Sequence, residues 1–199
     1  MTKYDGLKKL LSEMLMQKRV RHLGVKLAGI AIPDSIADHV AVSAQIAYIL
    51  GYLEGVDPEK CAIINLFHDL HTTRIGDHHK ISSRYLKTNE AEVAAEDEQY
   101  ANLPEKLAKN IKTLINQKRK RDTKEGIVAQ DADWLEQAIQ AKAYVELGYK
   151  GCQNWIDNVE AALETESAKR LLELIKSDPD FINCWWIGLK KMTYTKLDS

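Results

Sequence analysis

Cysteine is scarce in this chain. Cys61, Cys152 and Cys184 make three in 199 residues, an odd number with no C-x-x-C pair. That argues against a disulfide framework or a thiolate zinc site and for buried structural thiols in a reducing compartment. Charge of one sign is lacking too: 28 basic and 29 acidic residues leave a formal charge of −1. No field therefore draws the protein toward nucleic acid or an acidic membrane. The opening Met1-Thr2-Lys3-Tyr4-Asp5 does not show the basic-then-apolar pattern of a signal peptide, and no uninterrupted apolar run approaches the ~18 residues that cross a bilayer. The cytoplasm is the expected location, with neither nucleic acid nor membrane as a partner. Repeats and low-complexity segments are absent, and 199 residues with 45% hydrophobic content fit one globular domain of ordinary composition.

With only four prolines and ten glycines, long stretches run unpunctuated and carry apolar residues at three- and four-residue steps, which predicts an all-α fold. Residues 5–18 form an amphipathic helix on Leu7, Leu10, Leu11, Met14 and Leu15. Residues 36–54 form a second, with Ser35 as N-cap, Asp38 closing a capping box, and Val42, Ile46, Ile49, Leu50 and Leu53 as its buried stripe. A third opens at Asp57-Pro58-Glu59, where proline suits the first turn. It carries Ala62, Ile63, Leu66 and Phe67 up to His68-Asp69. The short Gly55-Val56 turn predicts antiparallel packing that brings His39, at the start of one helix, to His68 at the end of the next. Further helices are expected over 90–101, 104–116, 127–147, 155–177 and 181–190, with a polar loop at 118–126. In that loop the basic run 118–121 reads as a solvated turn without the interleaved aromatics of a nucleic-acid patch. Trp155, Trp185 and Trp186 read as packing for the C-terminal helices or as part of a homodimer interface.

The chemistry is concentrated in Phe67-His68-Asp69-Leu70, in Ala37-Asp38-His39-Val40 upstream and in Gln130-Asp131-Ala132-Asp133-Trp134-Leu135-Glu136 downstream. Imidazole beside carboxylate offers a divalent cation one nitrogen and one oxygen, and a second His with a distant Asp completes a mixed N/O shell that leaves positions for water and substrate. A cation so held polarises a phosphoryl oxygen and acidifies its bound water. A carboxylate placed inside after Phe67 would be costly without a cation or hydrogen bonds. A lone His on an amphipathic helix is more often packing or surface, but His39 follows a capping pattern and points from a first turn. Asp131 and Asp133 compete as the downstream ligand, because residues two apart on a helix lie on opposite faces.

These segments, together with Pro33-Asp34-Ser35-Ile36-Ala37-Asp38-His39, Ile64-Asn65-Leu66-Phe67-His68-Asp69 and Gly76-Asp77, resemble the HD-domain metal-dependent phosphohydrolases. More narrowly they resemble the branch containing the 5′-deoxynucleotidases and their archaeal and eukaryotic relatives. The resemblance implies an HD-like helical bundle spanning 1–199, with core motifs over about 20–150 and extra C-terminal helices over about 151–199. It also implies one divalent cation on His39, His68, Asp69 and Asp133. Two imidazoles suit Mn, Co or another transition metal, with Zn, Fe or Mg compatible. The implied substrate is a nucleoside 5′-monophosphate or a similar small phosphomonoester.

Two departures matter. The branch usually carries a glutamate three residues after the His-Asp aspartate, to orient or deprotonate water, and here that position is Thr72. A hydroxyl does not replace a carboxylate base, so His71 or Asp77 becomes the candidate acceptor. The alternative is a metal- and nucleotide-binding module with weak or lost catalysis. Upstream of His39 the branch has a phosphate-gripping arginine and a sugar-crowding tryptophan. This chain offers Arg19 or Arg21 for the phosphate and Val25 about where the aromatic belongs, with Asp77 as a sugar contact. The two arginines also suit a solvated helix end. Arg74 and His78-His79-Lys80 extend the cationic side of the same region, as phosphate contacts or ordinary surface.

Overall fold

The computed structural model describes residues 3–188, and among them every regular element is helical. Helix α1 is Lys3–Met14, α2 Ile36–Leu53, α3 Pro58–Phe67, α4 the single turn Thr72–Ile75, α5 Thr88–Tyr100, α6 Glu105–Lys120, α7 Lys124–Glu146, α8 Gln153–Ala162 and α9 Glu166–Ser177.

Local chemistry sets the starts of the central helices. At α2 the Asp38 amide donates to Ser35 Oγ at 3.2 Å and the Ser35 amide donates to the Asp38 carboxylate at 2.9 Å, a complete capping box. At α3 the Lys60 amide donates to Asp57 with Pro58 in the first turn, and at α7 the Gly126 amide donates to Thr123 Oγ1. Helices α2 and α3 run antiparallel. The Asn65 amide donates to Ser43 Oγ at 2.7 Å, the His39 and His68 rings lie 5.4 Å apart, and Gly51 meets Pro58. A Cβ on Gly51 would fall 2.8 Å from Pro58 Cα, so only glycine permits this closeness of the two backbones.

Helix α7 runs through the middle, packed on α2, α3, α6, α8 and α9. Its Val128, Leu135 and Ala138 share one core with Leu50, Cys61, Ile156, Val159 and Leu172, while Leu10, Leu70, Tyr100, Ile111 and Ile115 form a second around α1, α5 and α6. Helices α8 and α9 thus belong to the main core.

Several sequence expectations are corrected. The inner face of α2 is Ile36, His39, Val40, Ser43, Ala44, Ala47, Leu50 and Gly51, whereas Val42, Ile49 and Leu53 are exposed. The helix is apolar all round, so periodicity could not choose a face. The choice fell to small residues that let α3 and α7 approach. The same reason leaves Ile63 and Leu66 of α3 outside while Cys61, Ile64 and Asn65 are buried. In length and composition α2 could cross a bilayer, yet its ligand-bearing face is enclosed by protein. Helix α1 stops at Met14 and tightens into a 3-10 turn over Leu15–Lys18, which leaves Leu11 and Leu15 outside. The segment 155–177 is two helices broken at Leu163-Glu164-Thr165. Among the described residues beyond α9 the one regular element is a 3-10 turn, Phe181–Asn183, and residues 189 and 190 of the expected helix lie outside the described region. Trp185, 74% exposed, does not pack on the helices.

Candidate metal centre

His39 stands in the first turn of α2, His68 and Asp69 directly follow α3, and Asp133 is midway along α7. The antiparallel α2/α3 pair and the central α7 bring these four residues together. His39 Nε2 is 3.1 Å from Asp133 Oδ1 and 3.8 Å from Asp69 Oδ2. His68 Nε2 is 3.3 Å from Asp69 Oδ2 and 3.8 Å from Asp133 Oδ1.

Each ring is turned by its other nitrogen. His39 Nδ1 meets Glu136 Oε2 at 2.5 Å, one turn along α7 from Asp133, and His68 Nδ1 meets the Asn65 carbonyl oxygen at 2.8 Å. Both Nε2 atoms therefore face the carboxylates, buried and without a hydrogen-bond partner despite the short distances. Buried polar atoms are almost always satisfied. Two imidazole nitrogens left open against two carboxylates are the donor set of a divalent cation of the transition series, and ligating imidazoles are held in this way by carboxylates and carbonyls. His39, His68 and Asp133 present one ligand atom each within 4.8 Å of one another.

Asp131 and Asp133 have different work. Asp131 accepts from the Glu164 and Thr165 amides and from Thr165 Oγ1 at 2.6–3.2 Å, ahead of α9. Asp133 alone faces the imidazoles. Asp131→Asn is expected to cost about 1–2 kcal/mol of stability as a weakened cap while leaving cation uptake intact. Asp133→Asn is expected to lose the cation. Thermal melts and elemental analysis of the two proteins separate these outcomes, and the reverse pattern transfers the ligand role to Asp131.

Sequence reading passed over three neighbours. Lys118 is 8% exposed, and its ammonium donates to Asp133 Oδ2 at 2.7 Å. The basic run is not a solvated turn, because α6 continues through it. Lys118 points in, Arg119 pairs with Glu96, and the Arg121 guanidinium lies 5.7 Å over the Trp134 ring. Glu136 was visible only as one more acid. His22 has its ring 4.6 Å from that of His39, and with His39 and Asp69 it forms a second group of possible ligand atoms. A reading along the chain could not see Lys118 turn inward, because its signal is one residue within a run of like charges.

Burial pushes the His39 imidazole down, but its contacts with Asp133 and Glu136 outweigh this and hold it well above the ordinary range when no cation is present. Burial likewise raises Asp133, but the Lys118 charge and the two imidazoles bring it well below the usual carboxylate range. A raised histidine stabilises the metal-free fold below about pH 6.5 and loses that contribution as pH rises through the raised value. Cation uptake must expel the same proton. Affinity is therefore expected to climb with pH above neutrality, with about one proton released per cation. Calorimetry in two buffers of different ionisation enthalpy reads this release directly, and uptake without proton release would contradict it. Glu136→Gln, which weakens the hold on His39 Nδ1, is expected to lower cation affinity by roughly 10–100-fold, measured by competition with a chelator. Unchanged affinity would deny Glu136 that role.

The other candidates are placed unevenly. Asp77 lines a cleft beside the cluster, and its Oδ2 accepts from the Leu23 amide at 2.6 Å. His71 is buried and faces Glu96 at 3.5 Å. Thr72 is buried, with its hydroxyl donating to the Asp69 carbonyl at 2.7 Å. Arg19 contacts Met16 Sδ in a separate shallow groove, and Arg21 donates to the Pro33 carbonyl at 3.2 Å; neither lines the cleft. Arg74 is held by Glu13 and Glu98.

The cleft measures about 360 Å³. One side carries His22, Asp77, His78, His79 and Lys80, and of the lining residues His22 and Glu136 touch His39. Its other wall comes from α7 and α8, including Trp134 and Trp155. The Trp155 indole lies 3.7 Å from where a Cβ on Gly24 would sit.

The sequence matches the HD domain family over residues 16–176. The chain belongs to the HD-domain family. That match runs through α9, further than the motifs alone reached. Solved structures with the same fold include a conserved hypothetical protein from Pyrococcus furiosus (27% identity, TM-score 0.71), which covers 84% of this chain and 98% of its own. A Pyrococcus horikoshii protein (22%, TM-score 0.71) covers 85% and 96%. A predicted metal-dependent phosphohydrolase from Magnetospirillum magnetotacticum (17%, TM-score 0.71) covers 89% and 92%. No curated protein matches the sequence.

Proposed function

We propose that this HD-domain chain is a divalent-metal-dependent phosphohydrolase of nucleoside 5′-monophosphates or similar small phosphomonoesters. The observation that carries the reading is the pair of buried, unpartnered Nε2 atoms on His39 and His68, set against Asp69 and Asp133 beside a cleft that Lys80 lines. The Magnetospirillum relative, described as a predicted metal-dependent phosphohydrolase, points the same way. A cation bound on His39, His68, Asp69 and Asp133 would supply Lewis acidity and a water of lowered pKa.

The chain's own residues do the rest. Lys118 occupies Asp133 Oδ2 and leaves Oδ1 toward the imidazoles. Lys80 places positive charge at the cleft, which neither Arg19 nor Arg21 lines. Asp77 is tied to the Leu23 amide through Oδ2, and its Oδ1 is the carboxylate oxygen suited to accept a proton or a sugar hydroxyl at the cleft. His71 supports Asp69 from behind, its imidazole raised by Glu96 and Asp69 against the opposing effect of burial.

Thr72 favours a second reading. Its hydroxyl is spent on the Asp69 carbonyl, so the position supplies no base, and a metal- and nucleotide-binding module without turnover would look the same there. Phosphate release from a panel of nucleoside monophosphates, with Mn²⁺ or Co²⁺ and with chelator, decides between them. Chelator-sensitive release that falls strongly in Asp77→Asn supports the hydrolase. Nucleotide binding without metal-dependent release supports the module.

A further inference from the structure

The cleft is lined on one side by His22 and by Asp77, His78, His79 and Lys80, and on the other by α7 and α8, whose lining is Glu136 together with the uncharged Trp134, Gln137, Gln140, Asn154, Trp155 and Asn158. Asn154 and Asn158 are one turn apart on α8, and Gln137 and Gln140 lie within one turn on α7, so amides from two helices reach the same space. Carboxamides both donate and accept, and indoles offer flat apolar faces. About 360 Å³ is in the range of a small-molecule pocket.

From this wall we infer that the cleft is a reading site for the planar heteroaromatic group of the substrate, with Trp155 and Trp134 as its apolar faces and Asn154, Asn158 and Gln137 as its edge contacts. The inference rests on the phosphomonoester reading of the cluster and adds to it the part of the molecule that selects the substrate. Neutral amides beside aromatic rings match the mixed donors and acceptors on the edge of a base. The two carboxylates that line the cleft are each engaged, Glu136 with His39 and Asp77 with Leu23, and α8 contributes none that could grip a run of sugar hydroxyls. Gln137 links this wall to the cluster: its amide donates to Asp133 Oδ1 at 3.1 Å. A base that drew that amide away would alter the cluster's own carboxylate.

Equilibrium binding tests this without depending on turnover. Manganese-loaded protein is titrated by calorimetry with AMP, CMP, ribose 5-phosphate and glucose 6-phosphate. A base stacked on indole contributes roughly tenfold or more in affinity, so at least one nucleotide is expected to bind at least about tenfold tighter than ribose 5-phosphate. Trp155→Ala is expected to bring that ratio toward one. Asn158→Ala is expected to change the preference between AMP and CMP, and Trp155→Phe, which keeps an apolar face, to restore much of the ratio if the alanine variant folds poorly. Ribose 5-phosphate or glucose 6-phosphate binding as tightly as both nucleotides overturns the inference, as does a ratio that Trp155→Ala leaves unchanged, or no binding by any of the four. Base-dependent binding without phosphate release would sink the hydrolase reading and leave this one. Phosphate release with no base-dependent affinity would do the opposite.

Discussion

His68→Ala and Asp69→Ala are each expected to leave the protein without its divalent cation and without metal-dependent phosphate release. His68 gives the cluster one of its two buried, unpartnered Nε2 atoms, and Asp69 stands 3.3 Å from that nitrogen and 3.8 Å from the one on His39. A site with so few donors has none to spare, and cation affinity depends on each deprotonated ligand. Outside the carboxylates, the His68 ring bonds the Asn65 carbonyl and meets the His39 ring edge-on. Elemental analysis after dialysis gives the primary readout, with circular dichroism to show that the helices persist. Metal content equal to that of wild type in both variants would remove the assignment of this cluster as the cation site.

Lys118→Met is expected to have the largest effect on stability. The ammonium is buried and pairs with Asp133, which stands among Asp69, Glu136 and two imidazoles. Deleting one member of a buried pair strands the other, which typically costs about 3–5 kcal/mol. For a chain of this size that corresponds to a fall in Tm of roughly 10 °C. A divalent cation would replace part of the missing positive charge, so the rise in Tm on adding Mn²⁺ should be greater in the variant than in wild type. A methionine variant that melts with wild type in the absence of metal would show that Asp133 does not need the lysine.

Much of this arrangement could be read along the chain, because the parts that could be read are local. The capping box at Ser35 and Asp38 and the Asp57-Pro58 start fix where two helices begin, and the short turn between them fixes their antiparallel sense. Together they predict that His39 meets His68. What could not be read depends on which neighbour arrives. Val42 and Ala44 are both apolar, and only the approach of α3 and α7 decides that the alanine goes in and the valine stays out. Lys118, Glu136, His22 and Trp155 come to the site from four separate segments, and nothing in their immediate sequence marks them. The arginines show the same limit. Their position along the chain suited a phosphate, and what each meets here, the Pro33 carbonyl for Arg21 and Met16 for Arg19, depends on neighbours the local pattern does not name.

One consequence follows from the two aspartates of α7. Asp133 looks toward the imidazoles while Asp131, fully buried, holds the amides that open α9. The rotation of this helix about its own axis is therefore set from both sides at once, like a shaft keyed at two places. A chain cut ahead of residue 164 would lose the second key and leave a buried carboxylate without its donors, and turning α7 to bring that carboxylate to water would swing Asp133 off the cluster. The last helices, remote from the chemistry in sequence, thus act as the set-screw that holds a ligand of the centre at its angle.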